Sequence, residues 1–257
     1  MRALIVLTAA LALAAGPSPR LTEDQKSKAD ELAAIGRKGQ EAFRAGQPAN
    51  ALPLLVQALA LSRDLYGERH RMHVEAMENL AAARRAIGDH KAALPLLVRS
   101  VAIRKGLLGE SHPDHAADLA DLASLHADMG DTAKALPMLE AAARIYRKSV
   151  GGKHPRYADV PQRTGEVRRA RGEFKAALPL LRGALAIHHE VFGGRHSLYA
   201  DSLARLASLH AEMGDAKTAL PLMAMAAAVY KVALGAKHHT YLAADRRLAA
   251  MRKAVGG

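Results

Sequence analysis

No cysteine occurs among the 257 residues. Disulfides, thiol nucleophiles and cysteine-built zinc sites are therefore excluded by inventory, as is any cysteine-borne lipid. Aromatic residues make up only 4% of the chain, which supplies little for a β-sheet core and few platforms on which bases could stack. No strand is expected. No glycine loop followed by lysine is present to cradle a phosphate. The one long uncharged run, Ala3 to Ala15, is about 13 residues, short of the roughly 20 that span a bilayer as a helix. Met1 and Arg2 precede it, small residues end it, and Pro17, Ser18 and Pro19 follow. Residues 1–16 are accordingly expected to be a cleavable secretory signal, cut after Ala14 or Gly16. Residues 21–257 would form the folded domain, periplasmic or secreted, with no transmembrane span in the mature chain.

What the chain does have is a period of 42 residues. The stretch DHKAALPLLVRSVAIRKGLLG, Asp89 to Gly109, returns with its proline at Pro53, Pro95, Pro137, Pro179 and Pro221. Its opening glycine falls at Gly46, Gly88, Gly130, Gly172 and Gly214, and its closing glycine at Gly67, Gly109, Gly151, Gly193 and Gly235. Between closing and opening glycines lies a second stretch with apolar residues at helical spacing, such as PDHAADLADLASLHADM from Pro113 to Met129. Each unit therefore reads as helix, turn, helix, and a fixed period of this length means a solenoid. Counting an irregular first helix from Leu21 to Ala45 and a last one from His239 to Val255, eleven helices are expected. The last carries Arg246, Arg247, Arg252 and Lys253, which suits a cap facing water.

The rows assign roles. Gln47, Asp89, Asp131, Glu173 and Asp215 follow the opening glycine, where an acidic or polar side chain caps a helix or complements its dipole. Arg63, Lys105, Arg147, His189 and Lys231 near the other end suit the negative carboxyl-terminal dipole, so much of the net charge of +12 is architectural. Ala51, Ala93, Ala135, Ala177 and Ala219 keep one face small, with Leu55, Leu97, Leu139, Leu181 and Met223 one turn further on the same side. The recurrent proline is expected to bend each second helix or delay its start. In the first helices the matching core is Leu80-Ala81, Leu122-Ala123 and Leu206-Ala207, with Met77, Leu119 and Leu203 one turn earlier. One unit departs: in RYADVPQRTGEVRRAR, Arg156 to Arg171, Pro161 replaces leucine and Thr164-Gly165 replaces Leu-Ala. Because an interior proline costs about 3 kcal/mol, that helix is expected to be broken, kinked or weakly packed.

These residues carry a resemblance. LGESHPDHAADLADLASLHADMGDTAKALPMLEAAARIYRK is similar to a tetratricopeptide repeat of the long kind found in kinesin light chains. The shared features are Gly-x-x-His-Pro before the first helix, Leu-Ala within it, Gly-Asp at the turn and Ala-Leu-Pro-Leu in the second helix. The resemblance implies an all-α, right-handed α-solenoid of about five helix pairs plus a C-terminal capping helix. It also implies that the first helices line a concave groove receiving a peptide or a partner's helix. Carried over residue by residue, the groove comprises Glu75, Glu78, Ala82 and Arg85, then Ala117, Ala120, Ser124, Ala127 and Asp128. The next units give Asp159, Gln162, Glu166 and Arg169, then Asp201, Ala204, Ser208, Ala211 and Glu212. Kinesin light chain recognition of acidic, tryptophan-bearing peptides would want a more basic lining, so that specificity is not transferred, and export would remove motor association.

Other chemistries are weighed against the rows. His70 with His73, and His112 with His115, stand three apart and suggest a metal pair. However, His70, His112, His154, His196 and His238 form one row at a helix start, and His73 and His115 continue as Tyr157, Tyr199 and Tyr241. No metal or cofactor is expected. Nearly every polar residue has counterparts in other units, so no uniquely placed nucleophile or acid–base pair stands out, and an enzyme is not expected. The reading is an exported scaffold or adaptor binding an unidentified protein or peptide. The alternative is a polyanion binder (nucleic acid, acidic polymer or anionic lipid) acting through Arg163, Arg168, Arg169 and Arg171, although no specific nucleic acid is expected.

Overall fold

The computed structural model describes residues 22–152 and 154–256, so the signal-like residues 1–16 lie outside the described residues. Eleven α-helices and no strand occur among the described residues. They are α1 (Glu23–Arg44), α2 (Pro48–Tyr66), α3 (Arg71–Ala86), α4 (His90–Leu108), α5 (Pro113–Asp128), α6 (Thr132–Ser149), α7 (Pro155–Ala170), α8 (Phe174–Phe192), α9 (Ser197–Glu212), α10 (Ala216–Leu234) and α11 (His239–Gly256). This is an α-solenoid of helix pairs, as the period requires. The chain divides into two compact units between Glu110 and Ser111, the first holding α1–α4 and the second α5–α11. Within each unit consecutive helices pack in order. In the second, α7 also touches α5 and α9, so the first helices of the repeats stand side by side.

The short turns follow from two residues. After α3, the Gly88 N–H donates to Arg85 O and the Asp89 N–H to Arg84 O, which satisfies the last carbonyls by a paired 5→2 and 6→1 closure. That closure needs a left-handed residue, and Gly88 supplies it at φ +82°. The same pair of bonds recurs after α1, α5, α7 and α9. Asp89 then caps α4 by accepting from the Ala92 N–H, as Asp131 and Asp215 do for α6 and α10. Gln47 and Glu173, one methylene longer, make no such bond. One residue thus ends one helix and begins the next, leaving no room for a longer loop.

The histidine row is a capping row. The Nδ1 atoms of His70, His112, His154, His196 and His238 each accept the N–H two residues on. The ring row beyond it packs on the basic row of the preceding helix: Arg147 donates to the Tyr157 hydroxyl at 2.9 Å, His189 meets the Tyr199 ring, and Lys231 lies over that of Tyr241. A ring body with a polar tip serves both contacts.

Ala51, Leu55, Ala58 and Ser62 in α2, and their counterparts in the other second helices, form the buried stripe. Helices approach closely along it, and among the glycines the tightest approach is at Gly165. A Cβ built there would lie 2.8 Å from Leu181 Cδ2 and Cγ, which is inside van der Waals contact. The recurrent prolines do not delay their helices. Pro53, Pro95, Pro137, Pro179 and Pro221 all lie inside continuous helices. All five are exposed, as are residues 49, 91, 133, 175 and 217, whose carbonyls lose their partner. At exposed positions water can satisfy a carbonyl without a burial penalty.

The expectation for the irregular unit is corrected. α7 runs unbroken through Pro161 from Pro155 to Ala170, and Val160 and Val167 are buried in the core with Leu139 and Tyr146. The lost leucine is compensated twice. Gly165 lets Leu181 close onto the helix, and Arg163 bonds Ala120 O, Asp121 and Ser124 on α5 at 2.8–2.9 Å.

Candidate functional site

In the second unit the face of α5, α7 and α9 is laced by ion pairs between successive repeats. Arg156 reaches Asp114 at 2.5 Å and Arg163 reaches Asp121 at 2.8 Å, each pair spanning 42 residues. Arg169 pairs with Glu166 at 2.9 Å and with Glu212, and Arg205 approaches Glu166 at 3.5 Å. Partly exposed pairs of this kind contribute modestly to stability, but they fix the register of one first helix on the next. They also occupy the arginines of the polyanion alternative, because Arg168 and Arg171 both pair with Glu173 at 2.8 Å.

Beneath this face lies a buried polar network. His188 on α8 is fully buried, with Nδ1 2.7 Å from Ser202 Oγ, while Ser202 donates to Gln162 Oε1 at 2.8 Å. Nε2, on the other side of the ring, lies 3.8 Å from Asp159 Oδ1, beyond hydrogen-bond reach. Burial holds the His188 pKa below the ordinary imidazole value, against the opposing pull of Asp159 and Asp201. Asp201 accepts from the Tyr230 hydroxyl, and burial foremost, with that carboxylate, raises the phenol pKa.

The face expected from the resemblance divides into buried and accessible members. In the first unit Glu78 is buried against α4, accepting from Ser100 Oγ at 2.9 Å and from Arg104. Glu75 is also buried, beside Arg71 at 3.4 Å, while Arg85 is half-buried near the end of α3. In the second unit Ser124, Gln162 and Ser208 are buried, with Ser124 and Ser208 bonding the Ala120 and Ala204 carbonyls of their own helices. These positions point between helices, so five of the twelve polar or charged residues expected there build the wall and not its surface. Asp128 and Glu212 are exposed, and Asp159, Glu166, Arg169 and Asp201 are partly so.

Sequence reasoning missed the second-helix residues Ser62, Arg104, Tyr146, His188 and Tyr230, which support the first helices from below. A legible signal existed, since each ends the small, apolar stripe with a polar group at helical spacing. It also missed the pairing of Arg84 with Asp89, Arg168 with Glu173 and His210 with Asp215, each base standing five residues before the acid across the turn.

The paired histidines go separate ways. His70 caps α3, while His73 lies 3.1 Å from Ser62 Oγ on α2. Among the described residues no three His, Asp or Glu side chains are grouped to hold a metal. α10 is long and apolar enough to cross a membrane by composition, yet Ala219, Met223, Ala226, Ala227 and Tyr230 are buried in it as core.

Comparison with known proteins agrees with this geometry. A tetratricopeptide-repeat family model matches residues 31–106, 79–148, 114–182 and 162–231. No curated protein matches. The nearly identical TPR-like repeats of a Podosopora anserina protein classed with kinesin light chains are 24% identical, with a TM-score of 0.60, covering 82% of this chain and 98% of that one. A thermophilic TPR protein of Thermus thermophilus is 21% identical, with a TM-score of 0.60 over 86% and 98% of the two chains. BtubC (BKLC) from P. vanneervenii is 20% identical, with a TM-score of 0.53 over 90% and 93%. These likenesses establish the fold alone. With paired helices closed by glycine every 42 residues and family matches running from 31 to 231, the chain belongs to the tetratricopeptide-repeat family, whose members are typically non-catalytic scaffolds that bind other proteins.

Proposed function

We propose that this chain is an exported, non-catalytic scaffold that binds another protein through the first-helix face of its second unit. The observation that carries the reading is the alignment of α5, α7 and α9, which presents Asp128, Asp159, Asp201, Arg205 and Glu212 in one set of registers on a supported wall. Such a wall offers many weak polar points spread over three helices, which suits a polypeptide partner. The arginines of α7 are held by carboxylates of their own chain, so the geometry does not favour a polyanion at α7.

Affinity capture with the intact chain and with an Arg205→Glu, Glu212→Lys variant tests this, washed at low and high salt. Partners retained at high salt by the parent and lost by the variant, with helicity unchanged, support the reading. Identical retention by both places binding elsewhere. Export is tested by the mass of the protein recovered from outside the cytosol. A mature chain beginning near Ala15 or Pro17 supports a cleaved signal, and an intact amino terminus at Met1 in the cytosol overturns it.

A further inference from the structure

The chain is strongly basic, yet its charge is sorted by helix. In the second unit α6, α8 and α10 carry eight Lys or Arg, all exposed, against Glu140 and Glu190 alone. Helices α5, α7 and α9 carry eight carboxylates against five arginines. The arginines consume Asp114, Asp121, Glu166 and Glu212. Two partly exposed carboxylates on the same face, Asp159 and Asp201, form no ion pair with Lys or Arg among the described residues. They occupy equivalent positions of successive repeats, and both act electrostatically on His188.

A second, independent observation points to what is missing. His188 is 0% exposed, its Nε2 has no hydrogen-bond partner, and it aims at Asp159 from beneath at 3.8 Å. The imidazole edge and the carboxylate thus face each other with no hydrogen bond between them. Protonation of the imidazole would place a cation there, but burial opposes that charge. Asp159 thus has no cationic partner from beneath and is open to one from outside, where its side chain is 37% exposed.

Resting on the scaffold reading above, we infer that Asp159 and Asp201 dock a lysine or arginine of the partner, so that the occupant of this face is a basic polypeptide segment. The sorted charge favours such a partner twice. The first-helix face attracts it, and the exposed Lys and Arg of the second helices repel it from the opposite side of each pair, which restricts it to one face.

Selection of random displayed 12-residue peptides on the intact chain tests the inference. The expected pool is enriched in Lys and Arg, and a synthetic peptide from it should lose at least tenfold in affinity on Asp159→Asn. Because Asn at 201 would also weaken the buried Tyr230 contact, the second measurement leaves the protein untouched. Citrulline in place of the peptide's arginine, which keeps its shape without its charge, should give a similar loss. A pool that responds to Arg205→Glu but shows no basic enrichment, and is indifferent to Asp159→Asn, overturns the basic-partner inference and leaves the scaffold face standing. A pool indifferent to every substitution on α5, α7 and α9 overturns both.

Discussion

Gly165 sits in a helix interior, where alanine is ordinarily better by about 1 kcal/mol because glycine loses more backbone freedom on folding. Gly183 in α8 is a matched control, also in a helix interior but with nothing within 4 Å of its built Cβ. Gly183→Ala should therefore raise stability by about 0.5–1 kcal/mol. Gly165→Ala receives the same gain but drives a methyl to 2.8 Å from Leu181 Cδ2 and Cγ. Leu181 is only 1% exposed, so it cannot swing out into solvent, and overpacking of this kind costs about 1–3 kcal/mol. The net for Gly165→Ala is a loss of up to about 2 kcal/mol, and the two variants should differ by roughly 1–3 kcal/mol. Urea titration followed by helical circular dichroism reads this as midpoints shifted in opposite directions at constant slope. The pairing can be checked by adding Leu181→Ala. That change alone costs about 2–5 kcal/mol, but with Gly165→Ala present the sum should fall short by about 1–3 kcal/mol, since the clash is removed with the leucine. If Gly165→Ala raises the midpoint as much as Gly183→Ala does, the close approach of α7 to Leu181 is not a packing constraint and the account of α7 fails.

Pro161→Ala restores a backbone donor in an otherwise continuous helix and should stabilise by about 2–3 kcal/mol; an unchanged urea midpoint would show that the helix already accommodates proline without cost. Arg163→Met removes a clamp whose side chain is only 18% exposed and should cost about 1.5–3 kcal/mol, with faster amide exchange in α5 and α7 than in α9; uniform protection refutes the clamp. The His188 pKa is lowered in the folded state, so the unfolded chain takes up the proton first. Stability is then complete above about pH 6.5 and falls as pH drops through that value towards the folded pKa. His188→Gln should flatten this part of the profile, leaving the contributions of His70, His73 and His238, also lowered by burial; a parallel profile would deny His188 its role beside Asp159, Asp201, His196 and Arg205.

The fold was legible because it is written in local chemistry. Glycine at a left-handed position, an acid directly after it and a histidine at the next helix start each act within six residues of themselves. A repeated row of such signals sets helix ends without any knowledge of tertiary structure. The stripe of Ala51, Leu55, Ala58 and Ser62 and its counterparts likewise needs only helical spacing to define a buried face. The irregular unit misled for the complementary reason. Pro161 and Gly165 are poor local choices, and what offsets them lies far away in sequence, at Leu181 and across the 42 residues to Asp121.

The face itself was half legible. The resemblance put Asp159, Asp201 and Glu212 on the first-helix face, where they are at least partly exposed. It could not separate them from Glu78, Ser124 and Gln162, because a side chain three residues round the helix is exposed or buried according to what the neighbouring helix brings against it. Composition reported a basic chain, and the sequence alone determined that its charge would be sorted by helix and its helices paired. Only the tertiary structure decided which carboxylates would be taken by arginines of the next repeat and which would be left facing outward over a buried imidazole. That decision depends on distances between residues about forty positions apart, where an ångström separates an ion pair from a solvated charge.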